Sequence, residues 1–263
     1  MSDLHKTLND LSDTFIFAEI DSKEETDALE KMRKFIEDIN VDDLKSTDIN
    51  LRYGEEGETL ITLCLYTDSR DVIDQLLKKG ADIEGQDKFG LTPLQLAVIS
   101  DKVSRVDYLI DKGANKQVIV KKSGTFGDGT ENGWELLHIA AFENSISAAR
   151  LLISEGANLD AKSGIGDTPL HVALRYFPVY DSTEMLSLLI EGGADINARS
   201  WKAKGGPTIL HLACSPDSFI HDEDDEEETN FTKSQYELIK WLIDQGARFG
   251  DDSFLDEEAE ISN

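Results

Sequence analysis

Cysteine is nearly absent: Cys64 and Cys214 are the two in 263 residues. Each falls on a small-residue position, so both read as small buried apolar residues rather than a disulfide or a catalytic thiol, and a reducing, cytoplasmic setting fits. Proline is as scarce, with five, and an apolar fraction of 40% argues for a folded chain rather than a disordered one. No apolar run approaches the length of a membrane span. The start, Met1-Ser2-Asp3-Leu4-His5-Lys6, lacks the basic opening and apolar core of a secretory signal. Basic residues are short as well: 26 Lys and Arg stand against 53 Asp and Glu, for a formal net charge of −27. A field of that sign repels nucleic acid and anionic membrane and favours a basic protein partner reached at a salt-sensitive rate. Solubility alone is the plainer reading of the same charge.

Against these absences stands a recurring phrase. Gly166-Asp167-Thr168-Pro169-Leu170-His171-Val172-Ala173-Leu174 reads as a tight turn entering a helix. Gly166 supplies the permissive turn, Thr168 a side-chain acceptor at the N-cap, and Pro169 the first helical position, where its missing N–H costs nothing. Variants open at Gly57, Gly90, Gly133 and Gly206, and each leads to a second apolar helix ending in Gly-Ala. Thr62, Gln95, His138 and His211 hold the place of His171, and the closing glycines are Gly80, Gly113, Gly156, Gly193 and Gly246. Eighteen residues separate Thr62 from Gly80, Gln95 from Gly113 and His138 from Gly156; fifteen lead from Gly80 to Gln95 and from Gly156 to His171. The base period is therefore 33 residues. The pairs Leu76-Leu77, Leu109-Ile110, Leu152-Ile153, Leu189-Ile190 and Leu242-Ile243 keep one distance from those glycines and predict a buried helical stripe.

A 33-residue period with a turn, two helices and Thr-Pro-Leu-His resembles the ankyrin-repeat proteins. The match is best over Asp160–Asp195, fair over Asp87–Asn115 and partial elsewhere. The resemblance implies an all-α fold: an ankyrin-repeat solenoid of paired antiparallel helices with projecting turn fingers. The expected organisation is an N-terminal helical capping repeat over 1–52, five ankyrin-like units at about 53–86, 87–119, 130–162, 163–198 and 203–250, and an acidic tail over 251–263.

The departures from the period locate insertions. Two fall between units, adding 10 residues within 116–132 and 3 around 201–205; two fall inside units, adding 4 within 175–183 and 17 within 215–233. In ankyrin arrays the inter-unit turns project as fingers beside a groove lined by the first helices, so the resemblance places the first pair on the recognition side. The longest insertion carries His221 followed by the acidic block Asp222–Glu228, whose like charges repel one another and predict disorder in the free protein.

Candidates for chemistry dissolve on inspection. His138, His171 and His211 suggest a metal set, but they occupy one repeat position and so stand about 10 Å or more apart, one helix layer each. The resemblance makes each a tie to the neighbouring turn. The acidic block lacks the ligand spacing and central glycine of a calcium loop. The stretch Lys122–Gly129 lacks the Gly-Lys-Ser/Thr ending of a phosphate loop, and no Gly-x-Ser-x-Gly nucleophile occurs. No catalytic residue, metal or cofactor is expected.

Recognition is better supported. By the repeat register the groove-facing positions are Glu55, Glu56, Glu58 and Tyr66; Phe89 and Ile99; Trp134, Phe142 and Glu143; Arg175 and Tyr176; and Trp201 in the last finger. Aromatics at such positions in four consecutive units exceed what a solvated face requires. The alternative is that some of them pack against the long finger of residues 116–132. On the first view, Trp134→Ala with Phe142→Ala weakens binding and leaves stability within a few degrees. The sequence thus reads as a non-enzymatic module, a monomer when free, that binds another protein stoichiometrically. A basic toxin or nuclease, inhibited in the manner of an immunity protein or antitoxin, is the first expectation. The alternative is a general cytoplasmic adaptor or scaffold recognising a peptide or signalling domain.

Overall fold

The computed structural model describes residues 2–16, 23–44, 49–121, 131–180, 182–200, 206–215 and 233–250. Its elements are α1 (Ser2–Ile16), α2 (Lys23–Glu37), β1 (Arg52–Tyr53), β2 (Glu58–Thr59), α3 (Leu60–Tyr66), α4 (Arg70–Lys78), α5 (Pro93–Ile99), α6 (Val103–Asp111), α7 (Leu136–Phe142), α8 (Ile146–Ser154), α9 (Pro169–Arg175), α10 (Phe177–Tyr180), α11 (Glu184–Glu191), α12 (Ile209–Ala213) and α13 (Lys233–Asp244). The fold is mostly helical, as an ankyrin-type array requires. Trp201, the acidic block and the tail lie outside the described residues.

Two compact units divide the chain: residues 1–97 with 104–115, and residues 98–103 with 116–263. In the first, α1 packs on α2, and Leu8, Met32 and Ile36 are fully buried. The short strands β1 and β2 pair antiparallel, Arg52 opposite Thr59 and Tyr53 opposite Glu58, and α3 packs on α4. In the second unit α7 packs on α8 and α9, and α9 on α11 and α12, with α12 against α13.

The first helix of a pair starts on a side-chain cap. Thr59 accepts from Thr62 N in α3, and Thr168 from His171 N in α9. In α7, α9 and α12 the cap is reciprocal: the ring of His138, His171 or His211 reaches back to the N-cap N–H. The second helix ends on a glycine in the left-handed region. Gly80, at φ 89°, donates to Leu77 O at 3.0 Å while Ala81 donates to Leu76 O at 3.0 Å. Gly113-Ala114, Gly156-Ala157, Gly193-Ala194 and Gly246-Ala247 repeat this closure, which only a residue without Cβ makes at no steric cost.

The stripe on the second helices is narrower than the paired Leu/Ile pattern predicts. Leu76, Leu109, Leu152, Leu189 and Leu242 are at most 2% exposed, but Leu77, Ile110, Ile153 and Ile190 are half-buried and Ile243 is 53% exposed. Neighbouring positions on a helix are about 100° apart, so the first of each pair points into the core and the second onto its flank. Cys64 is buried and Cys214 half-buried, both as free thiols.

Candidate functional site

The expected groove residues do not share one environment. Glu58 is turned inward, because β2 pairs with β1 under the first helix: it is 3% exposed, and Ser12 Oγ donates to its Oε2 at 2.9 Å. Burial pushes its carboxyl up, against the lowering by Ser12. Its expected place on an open surface is therefore corrected. Glu56 is half-buried and paired to Lys88 Nζ at 2.8 Å; Glu55 is exposed, with its N–H held by Asp13 Oδ1 at 2.7 Å. Tyr66 is half-buried, and burial raises its phenol, helped by the fields of Glu58 and Asp87. Phe89 is 38% exposed, with Lys88 Nζ 4.9 Å from its ring centre. Ile99 is half-buried.

Trp134 is the larger correction. It is 1% exposed. Val120 N donates to Trp134 O at 2.9 Å and Gly133 N to Val120 O at 2.8 Å, so the segment bearing the buried Val120 is bonded alongside the tryptophan backbone. The ring also stacks at 6.4 Å on His138 and meets Phe142 at 5.2 Å. It is a core residue.

Phe142, Tyr176 and Tyr180 of the second unit form a connected patch. Phe142 closes α7 and Tyr176 follows α9, and their rings meet edge to face at 4.5 Å. The four-residue excess within 175–183 winds into the short helix α10, whose Phe177 is buried and whose Val179 and Tyr180 are 58% and 37% exposed. Tyr180 donates to Phe142 O at 2.9 Å, which ties α10 back to the end of α7. Glu143, directly after Phe142, is half-buried, and burial holds its carboxyl above the usual range. Arg175 is half-buried and donates from Nε to Asp167 Oδ2 at 2.9 Å; Asp167 is 2% exposed. The structure thus gathers Phe142, Glu143, Arg175 and Tyr176 in the second unit and adds Val179 and Tyr180, whereas Trp134 and Glu58 are buried. Val179 and Tyr180 sit in an insertion, where no repeat register assigns a direction to a side chain; only the length of the excess marked them.

Of the histidines, His138 behaves as a tie. Glu135 N donates to His138 Nδ1 at 3.2 Å, which leaves the Nε2–H to donate to Asp167 O at 3.0 Å in the next turn. His138 is fully buried, and its pKa is pushed down to about 4 by desolvation. His171 repeats the cap alone, with Thr168 N on its Nδ1 at 3.3 Å and its Nε2 buried without a hydrogen bond to the next turn; its pKa too is pushed down to about 4 through burial. Among the described residues, no three His, Cys, Asp or Glu side chains converge as metal ligands, and no helix is long and apolar enough to cross a membrane. A depression of about 480 Å³ lies between Lys116-Gln117 and the Glu155–Asn158 turn, and its charges answer each other through a Lys116–Glu155 pair at 3.0 Å.

A family profile described as ankyrin repeats, three copies, matches residues 28–120 and 119–200. The chain belongs to the ankyrin-repeat family. Its ankyrin stretch is 30% identical over 147 residues to the tyrosine-protein kinase HTK16 of Hydra vulgaris, covering 56% of this chain and 18% of the kinase. It is 27% identical over 168 residues to the nuclear factor NF-kappa-B p105 subunit of Gallus gallus, covering 60% and 16%. It is 31% identical over 174 residues to the human B-cell lymphoma 3 protein, covering 62% and 35%. The match spans well under half of each relative's length. Ankyrin repeats are protein–protein interaction modules, and that is the function class of this chain.

Proposed function

We propose that the chain is a stoichiometric inhibitor of a basic protein, of the kind a toxin or nuclease presents, and that the second unit's aromatic patch docks it. The observation that carries this reading is the charge: 53 acids against 26 bases on an interaction scaffold. Such a field raises the encounter rate with a cationic surface and opposes anionic ones. Phe142, Tyr176 and Tyr180 supply the kind of rigid, amphipathic contact area that anchors interfaces, with exposed Glu55 as part of the steering surface.

The test is titration of a basic candidate, a cationic nuclease first, with activity and association rate measured at about 50 and 300 mM salt, since screening acts chiefly on the encounter. The inhibitor reading expects loss of activity at a one-to-one ratio and an association rate that drops steeply with salt. An affinity that hardly changes with salt counts against it and for the adaptor, a reading favoured by relatives in which the matched stretch is a small part of a larger protein.

A further inference from the structure

Every second helix of the array hides one flank except the last. Seven residues before the closing glycine stand Ile73, Val106, Ala149 and Leu186, each at most 1% exposed. Three before it stand Leu77, Ile110, Ile153 and Ile190, all half-buried. In α13 the same two places hold Ile239, half-buried, and Ile243, more than half exposed, and Tyr236 is 68% exposed. Positions 236, 239 and 243 fall on one side of the helix, since each residue turns it by about 100°. Within the second unit the corresponding flank is covered by the helix pair that follows. There α8 packs on α11, and a Cβ added at Gly192, just after α11, would stand 3.4 Å from the Ile153 side chain. Among the described residues no helix follows α13.

The chain leaves α13 as it leaves α11. Ala247 N donates to Leu242 O at 2.9 Å, as Ala194 N does to Leu189 O at 3.0 Å. Arg248 N is then held by Asn197 Oδ1 at 2.8 Å, as Asp195 N is by Asp160 Oδ1 at 2.9 Å. After α11 this course leads into the next layer, so after α13 it sets the chain toward the open flank. The next residues in sequence, 251–263, hold Phe254, Leu255 and Ile261 among six acids and no base. The stretch they would meet has the opposite balance: 233–250 carries Lys233, Lys240 and Arg248, all exposed, against Glu237 and Asp244, a net of +1 in a chain of −27. Thirteen residues reach up to about 43 Å when extended, against roughly 18 Å for the length of α13.

We propose that residues 251–263 are the end cap of the array, with Phe254 and Leu255 seated on Tyr236, Ile239 and Ile243 and the acids beside Lys233, Lys240 and Arg248. A terminal layer needs an apolar inner side and a polar outer one, and this segment carries both without being a further repeat. The inference stands on the register of the array and is independent of who the partner is.

The test uses the full chain with isoleucine and leucine methyls and phenylalanine rings labelled. Nuclear Overhauser contacts from the Ile239 and Ile243 methyls to the Phe254 ring and Leu255 methyls are expected, with none between copies in a mixture of differently labelled chains. Phe254→Ser with Leu255→Ser should abolish them and speed amide exchange over 238–246 roughly tenfold, as expected on exposing part of a large apolar surface, while exchange in α8 stays as in the parent. Contacts that cross between copies would assign the flank to a second chain. Contacts from these methyls to residues 216–232 would assign it to the insertion. Either result, or α13 exchange that is unchanged in the double variant, overturns the proposal.

Discussion

Truncating Trp134 to alanine empties a site that is 1% exposed and touches both His138 and Phe142. Large-to-small changes of a buried tryptophan cost about 3–5 kcal/mol, so a denaturant midpoint well below the parent's is expected, not the small change a groove residue would show. A midpoint within experimental error of the parent would return Trp134 to the surface. His138 gives a second handle. Its pKa of about 4 in the fold lies below the ordinary 6.5, so between those values the unfolded chain binds the extra proton. Its contribution is complete above about pH 6.5 and is lost as the pH falls toward 4. His171 behaves alike, while the raised carboxyls of Glu58 and Glu143 act in the opposite sense, favouring the fold on protonation. His138→Gln separates the two. Glutamine already occupies this position at Gln95, where Oε1 accepts from Thr92 N at 2.9 Å, and it does not titrate. Melting curves of the variant between pH 4 and 7 should lose part of the acid-side decline that the parent shows; identical profiles would mean that His138 is not the group being protonated.

Helices here are set by their ends, which is why so much of the fold was legible. A side-chain cap, a glycine closure and, in three of the five pairs, an 18-residue separation state where a pair starts and stops, and Thr59, Thr168, Gly80 and Gly156 all do what their chemistry requires. The excess after Arg175 was legible only as a length: nothing in its composition foretells that Phe177–Tyr180 winds into a turn of helix and hands its tyrosine to Phe142. Likewise the repeat register puts Trp134 next to an insertion but does not say which way its ring turns; in the structure the ring lies against His138 and Phe142, and Val120, off the period, is bonded to its backbone. The cap itself is testable. Thr168 is fully buried, accepts from His171 N and shares a 2.7 Å contact with His171 Nδ1. Thr168→Ala should cost about 1–2 kcal/mol by urea unfolding, and Thr168→Ser should recover most of it, because the hydroxyl rather than the methyl makes the bonds. A serine variant as weak as the alanine one would shift the role to packing.

Charge acts on the chain as a body, and salt should move two of its properties in opposite directions. With a net −27, like charges repel across every folded surface, and raising salt from about 10 to 150 mM shortens the screening length from roughly 30 to 8 Å. The melting midpoint of the free chain is therefore expected to rise with salt, by a few degrees, because self-repulsion is relieved and the ion pairs are partly exposed ones of small worth, such as Lys88–Glu56 and Lys116–Glu155. Association with a basic partner is expected to slow over the same range, since there the field is attractive. The acidic block from Asp222 to Glu228 concentrates seven of those charges in one stretch of sequence. Changing its residues to Asn and Gln should flatten both salt responses at once if the field belongs to the whole chain. If instead the association rate loses its salt dependence while the melting midpoint keeps its own, the block is a local steering element; if neither moves, the field that guides the partner is carried elsewhere on the chain.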